Sequence, residues 1–236
     1  MLPKERTMSA APLSSRFELN SQMAAANRAA FALDGVTVVS LVGSSGSGKT
    51  SIIEAAVQHL EGRMRLATVV GNPAASRDAE RLARLGVCAV PVQTDNLAAN
   101  DVHNVLADLN LARMDMVFIE TAGISPLELD LGQDLRVAVF GASGGDDKAA
   151  EYANLIAESD LVVLSKIDLL PHVTFDMNVF RADVAKANPA AELITLSARS
   201  GAGVEALLDS LARHWAPDKQ FGAPRRAADQ LEWFFG

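Results

Sequence analysis

Residues Gly43-Ser-Ser-Gly-Ser-Gly-Lys-Thr50 fill every fixed position of the phosphate-loop pattern G-x-x-x-x-G-K-[ST]. The residue types suit the chemistry. Gly43, Ser44, Ser45, Gly46, Ser47 and Gly48 supply a pliable backbone whose N–H groups can turn inward around a phosphate. Lys49 would reach the β- and γ-phosphates, and the Thr50 hydroxyl would hold Mg²⁺. Ser51 opens a segment with helical spacing, in which Ile52, Ile53, Ala56 and Leu60 share one face. Such a helix start adds about half a positive charge to the loop. An accidental Gly/Ser turn would satisfy the same pattern. The apolar, β-branched run Val36–Val42 before it and the helix after it argue against that.

Two further segments point to guanine. Val162-Val-Leu-Ser-Lys-Ile-Asp168 is an apolar strand ending in Lys166-x-Asp168, the core of the pattern [N/T]-K-x-D. A carboxylate there accepts from guanine N1–H and N2–H₂ together, whereas adenine offers no such pair of donors. The lost pairing would reject adenine. Ser165 stands where Asn is commonest, so one side-chain amide is replaced by a hydroxyl. The bland alternative is a strand-end ion pair. Ser197-Ala198-Arg199 follows the last apolar run and resembles a segment whose backbone contacts guanine O6; alone it is a weak signal. Val117-Phe-Ile-Glu-Thr-Ala-Gly123 ends a strand in a carboxylate. Glu120 would help hold Mg²⁺, and Gly123 would approach the γ-phosphate by its backbone, unless Glu120 simply ends the strand. Asp78 is a further candidate for the Mg²⁺ water shell, or equally a helix-start residue.

These residues need a scaffold. Apolar runs at 36–42, 65–70, 87–92, 115–120, 135–140, 160–165 and 192–196 alternate with helical patterns at 19–33, 51–60, 76–85, 100–110, 148–158, 177–187 and 203–215. That order predicts an α/β fold, doubly wound around a mostly parallel sheet of about seven strands. Residues 1–16 read as a mobile arm, 17–215 as the domain, and 216–236 as a tail with Arg225, Arg226 and Trp233-Phe234-Phe235.

Composition narrows the partners. The 236 residues are 49% hydrophobic and 21% charged, as expected of a globular core, and carry a net charge of −8. That balance argues against nucleic acid as the main partner. The single cysteine, Cys88, precludes an intramolecular disulfide and fits a reducing cytosol; its apolar context predicts burial. No signal-peptide pattern or membrane-spanning apolar run is evident, so a cytoplasmic, non-membrane protein is expected.

The chain resembles the nickel-insertion GTPases of hydrogenase maturation, the HypB family, related to the urease GTPase UreG. Besides the phosphate loop, the resemblance rests on Ala24-Ala-Ala-Asn-Arg-Ala-Ala-Phe31, Asp78-Ala-Glu-Arg81, Phe118-Ile-Glu120, Leu129-Asp-Leu-Gly132, Gly145-Asp-Asp-Lys148 and Ser165-Lys-Ile-Asp-Leu-Leu-Pro171. It covers residues 17–215. It implies a P-loop NTPase of the SIMIBI-type GTPase class that cycles between GTP and GDP with Mg²⁺. Loops near 72–80 and 121–130 would respond to the γ-phosphate. It also implies maturation partners or a client metalloenzyme, and a GTP-favoured homodimer. The departures are specific. Ala98 and Ala99 stand where the family carries Cys and His, Ser125 where it carries a third Cys, and Asn72 where an acidic residue is common. Alanine offers no lone pair and serine is a poor soft-metal ligand, so a nickel or zinc site is doubtful. His103 matches a family histidine near that site and reads as an ordinary surface or half-buried residue. A regulatory GTP-binding docking module and a chaperone GTPase for a cobalamin enzyme remain as alternatives; an ATP-using kinase is disfavoured by Lys166-x-Asp168.

Overall fold

The seven apolar runs become seven strands. The structure, a computed structural model, describes residues 13–60, 62–125 and 130–213. The strands are β1 (Thr37–Val42), β2 (Leu66–Gly71), β3 (Cys88–Val92), β4 (Met116–Glu120), β5 (Leu135–Gly141), β6 (Leu161–Ser165) and β7 (Glu192–Thr195). All pair in parallel, in the order β3-β2-β4-β1-β5-β6-β7. Strand order reverses at β1, which lies between β4 and β5. In open α/β sheets, ligands bind beyond the carboxyl ends of strands at such a switch point.

The helices are α1 (Leu13–Leu33), α2 (Lys49–Leu60), α3 (Ala75–Ala83), α4 (Ala99–Val105), α5 (Lys148–Glu151), α6 (Ala153–Ala157), α7 (Met177–Ala187) and α8 (Val204–Arg213). Because successive strand side chains point to opposite faces, β1 feeds the core on both faces of the sheet. Val39 and Leu41 pack with Ile52 and Ile53 of α2, Leu82 of α3 and Leu207 of α8. Val38 packs with Phe31 of α1 and Val102 of α4. Val42 joins Phe140, Ile156 and Phe180 in a third cluster under α5–α7. Buried on both faces, the central strands have the continuous apolar composition that made them legible.

Several boundaries differ from expectation. Helix α1 begins at Leu13, so the end of the expected arm is helical. The segment expected as one helix over 100–110 is α-helical only to Val105, then tightens into a 3₁₀ turn over Leu106–Leu109 and ends at Asn110 in left-handed conformation (φ 47°). The helix expected over 148–158 is split at Tyr152 (φ −110°, ψ 35°). Cys88, expected buried, is only half-buried, because β3 is an edge strand with no neighbour beyond it in the sheet. Residues 1–12 and the tail 216–236, with its aromatic cluster, lie outside the described residues. No described helix is long and apolar enough to cross a membrane.

Candidate nucleotide-binding site

The phosphate loop leaves the carboxyl end of β1 and runs straight into α2. Two glycines are structurally required. A Cβ on Gly43 would lie 2.2 Å from the Val139 carbonyl oxygen, and Gly48 has φ +103°, which disfavours any side chain. Lys49 is 5% exposed, and its Nζ donates to the Gly43 carbonyl at 2.8 Å and the Ser44 carbonyl at 3.0 Å. The ammonium is thus held across the loop by the loop's own backbone.

A cavity of about 580 Å³ opens in front of it. Ser45, Gly46, Gly48, Lys49, Thr50 and Ser51 line one side. Asn72, Asp78, Arg81, Asp95, Glu120 and Lys166 contribute to the rest of its wall. Thr50 Oγ1 donates its single hydrogen to Glu120, 2.7 and 2.9 Å from the two carboxylate oxygens. The hydroxyl lone pairs are therefore left for another electropositive centre. Glu120 is 4% exposed. Burial pushes its carboxyl up to about 7 and Asp78 pushes the same way, while the Thr50 hydrogen bond and the charges of Lys49 and Arg81 oppose the shift. A buried carboxylate, a hydroxyl and Asp78 facing one cavity form a hard oxygen donor set, which fits Mg²⁺.

A second cavity, about 440 Å³, shares Gly48, Ser51 and Lys166 with the first and is lined further by Asp168, Leu169, Ala198 and Arg199. Lys166 joins the two. Its backbone is left-handed (φ 59°, ψ 36°), strained for a residue with a Cβ, and its Nζ donates to the Gly46 carbonyl at 2.5 Å. The Ser165 hydroxyl donates to the Ser47 carbonyl, so the strand end is stapled to the phosphate loop. Ser197, fully buried, donates through Oγ to Asp168 Oδ1 at 2.6 Å. Gly203 permits the turn beneath: a Cβ there would sit 2.1 Å from the Thr195 carbonyl.

Most residues expected from sequence meet here, with qualifications. Gly123, expected at the γ-phosphate, is not among the residues lining the phosphate cavity; Thr121 and Ala122 are. Thr121 Oγ1 bonds the carbonyls of Leu41 and Gly123, which sets the course of the chain there. Ser197 acts through Asp168 by its side chain, and Ala198 and Arg199 form the cavity wall. Asp78 lies in the first turn of α3 and also lines the phosphate cavity. Arg81 and Asp95 also line the phosphate cavity and Glu54 the adjoining one, and no motif in the sequence assigns a role to any of the three. Arg81 and Glu54 are 27 residues apart and meet only through the packing of α3 on α2, which no local pattern signals.

The positions compared with metal ligands are differently used. Ala99 is fully buried, its N–H donating to Asn20 Oδ1 and its carbonyl accepting from Asn27 Nδ2, both at 2.8 Å. His103 is exposed, with Nδ1 2.9 Å from Asn27 Oδ1. Asn27 Nδ2 is occupied by two carbonyls, so Oδ1 faces the ring and Nδ1 carries the proton. Among the described residues, no group of three or more His, Cys, Asp or Glu is placed to hold a metal ion.

Comparison with known proteins agrees with this geometry. Residues 37–195 match the family described as CobW/HypB/UreG, nucleotide-binding domain. The chain is 38% identical over 190 residues to the hydrogenase maturation factor HypB of Azotobacter vinelandii, covering 78% of this chain and 63% of that one. It is 34% identical over 199 residues to the probable hydrogenase maturation factor HypB of Methanocaldococcus jannaschii, covering 82% and 90%. The crystal structure of HypB from Archaeoglobus fulgidus has a TM-score of 0.77 at 28% identity, covering 84% of this chain and all of that one. The chain spans under two-thirds of the Azotobacter vinelandii and Rhizobium leguminosarum relatives, 63% and 64%. A nucleotide-binding domain matched over residues 37–195 and a relative 34% identical that the chain covers to 90% have one reading: this chain belongs to the CobW/HypB/UreG family.

Proposed function

We propose that this protein binds GTP with Mg²⁺ and hydrolyses it to GDP and phosphate, acting as a switch in the maturation of a metallocentre, that of a nickel hydrogenase. The observation that carries the nucleotide reading is the pair of adjoining cavities. One has phosphate-loop walls and hard oxygen donors, the other has Asp168, and Lys166 bridges them. That is the layout of a nucleotide, phosphates at one end and base at the other.

The roles follow from position. The backbone of 43–51 and the N-terminus of α2 bind the phosphates. Lys49, drawn from the loop carbonyls, offers its charge to the β/γ-phosphates. Thr50, Glu120 and Asp78 would hold Mg²⁺, which neutralises charge on the phosphate oxygens. Asp168 accepts from guanine, and Ser197 fixes the carboxylate that does so. In hydrolysis a water oxygen bonds to the γ-phosphorus, the bond to the β–γ bridging oxygen breaks, and GDP leaves with that oxygen. The carboxylates facing the phosphate cavity are Asp78, Asp95 and Glu120. Two of them are assigned to Mg²⁺ and Asp95 is exposed, so among the described residues no carboxylate is left as a dedicated base and turnover is slow without a partner.

The maturation role rests on the family and on the names of its relatives, hydrogenase maturation factors. On this reading the protein works in the cytoplasm, with metalloenzyme maturation partners and as a GTP-favoured homodimer. The buried Ala99 favours a division of labour in which this chain supplies timing and another protein carries nickel. The test is phosphate release from GTP and from ATP by the full chain. Slow, Mg²⁺-dependent release from GTP, with ATP far poorer, is expected. Equal release from both would contradict the reading.

A further inference from the structure

Helices α2 and α3 pack against each other beside the phosphate cavity. Thr50 and Glu54 stand one turn apart on α2, on the same face. Asp78 and Arg81 stand three residues apart on α3, again on one face. The lower pair is joined: Arg81 Nη2 lies 2.6 Å from Glu54 Oε2. The same guanidinium reaches up to Asp78, with Nη1 3.0 Å from Oδ1. The other carboxylate oxygen of Asp78 accepts from Asn72 Nδ2 at 3.2 Å, and Asn72 is itself fixed by the Ala74 N–H on its Oδ1 at 2.7 Å. The upper pair, Thr50 and Asp78, faces across the cavity with Glu120 beside it.

We propose that Arg81 is a positioning residue for Mg²⁺: anchored on Glu54, it holds the Asp78 carboxylate at a set distance from Thr50, so that the gap between α2 and α3 is sized for the ion. This rests on the nucleotide reading above. A planar guanidinium suits the task, because its fork can hold two carboxylates at once in fixed directions. The side chains of Arg81, Glu54 and Asp78 are 39%, 22% and 17% exposed, so the pairs form a partly sheltered network and not an isolated surface contact. Arg81 also adds positive charge where Asp78 and Glu120 would otherwise repel each other, and its own guanidinium is pushed up in pKa by Glu54 and Asp78 against the cost of burial. Removing it leaves Asp78 held only through Asn72 Nδ2, while the phosphate loop and the core packing of α3 on α2 stay intact.

The test uses the full chain and two separate titrations. GDP is titrated calorimetrically into protein in EDTA, and Mg²⁺ is titrated into the preformed GDP complex. Arg81→Ala and Glu54→Gln should leave GDP affinity in EDTA unchanged and weaken Mg²⁺ binding about 10-fold or more, the size of effect typical for groups that orient metal ligands. Arg81→Lys, which cannot fork, should recover only part of it. Asp78→Asn should show a similar Mg²⁺ loss, and adding Arg81→Ala to it should cost little more. Glu54→Gln carries the test if Arg81→Ala does not fold. Unchanged Mg²⁺ affinity in Glu54→Gln and Arg81→Ala would overturn the proposal. So would an equal loss of GDP affinity in EDTA, which would mean that Arg81 contacts phosphate directly. Failure of the wild type to bind GDP would overturn the nucleotide reading itself, a result distinct from both.

Discussion

The Ser197 hydroxyl sits 2.6 Å from Asp168 Oδ1 and donates to it, from a buried turn after β7 to the exit of β6. A carboxylate aimed in this way presents its remaining acceptor capacity in a fixed direction. Hydrogen bonds to charged groups contribute about 1.5–3 kcal/mol, so Ser197→Ala should weaken GDP binding about 10-fold or more. Asp168→Asn should weaken it further and erode guanine discrimination, since the amide presents a donor to N1–H. Binding competition with labelled GDP measures both. A Ser197→Ala protein with wild-type GDP affinity would show that the turn is merely structural.

Lys49 bridges the Gly43 and Ser44 carbonyls of the loop and, on the reading proposed above, would follow charge onto the γ-phosphate. Lys49→Ala should lower GTP turnover by about 100-fold or more, the scale for losing one charge-stabilising donor. Its effect on GTP binding should exceed that on GDP binding. Thr50→Ala should instead raise the Mg²⁺ concentration needed for turnover. Unchanged phosphate release by Lys49→Ala would remove the loop from the active site.

Glu120 gives the protein a pH signature. Its carboxyl is raised from the ordinary 4.5 to about 7, chiefly by burial. The folded state therefore holds a proton that the unfolded state has released over that interval. Stability falls as pH rises from about 4.5 to about 7 and levels off above, a loss of about 3 kcal/mol in the nucleotide-free protein. Mg²⁺ must displace that proton, so its affinity should weaken as pH drops below about 7. Thermal unfolding of wild type and Glu120→Gln at pH 6 and pH 8 tests this. The wild type should melt several degrees lower at pH 8, with the drop largely abolished in the variant; identical slopes would contradict it.

Much of this was visible in the sequence, for identifiable reasons. The five central strands lie where apolar runs predict, because buried parallel strands have no polar face to break the run, and the edge strands β3 and β7 keep enough apolar residues to follow the same pattern. The phosphate loop was legible because φ > 0 and close approach at Gly43 and Gly48 exclude other residues. What was not legible depends on neighbours far along the chain. Cys88 is half-buried because β3 ends the sheet, a fact set by strand order and not by its apolar context. The Arg81–Glu54 pair arises only when α3 packs on α2. Asn110 and Tyr152 cut two helices whose periodic spacing suggested continuity.

The metal positions make a negative prediction. With Ala98, Ala99 and Ser125 where thiolates and an imidazole were expected, His103 alone cannot assemble the three or four ligands of a tight site. Equilibrium dialysis of GTP-loaded protein against Ni²⁺ and Zn²⁺ should show no stoichiometric micromolar site. Tight binding that disappears in His103→Ala would overturn this and make His103 a ligand in a new geometry.

If the two joined cavities hold one guanine nucleotide, calorimetric titration of the wild-type protein with GDP and with ADP, both in Mg²⁺, will separate the two bases. One GDP per chain is predicted, with ADP bound at least about 100-fold more weakly, because Asp168 finds no paired donors on adenine. Comparable affinities for GDP and ADP, or no binding of either, would contradict it.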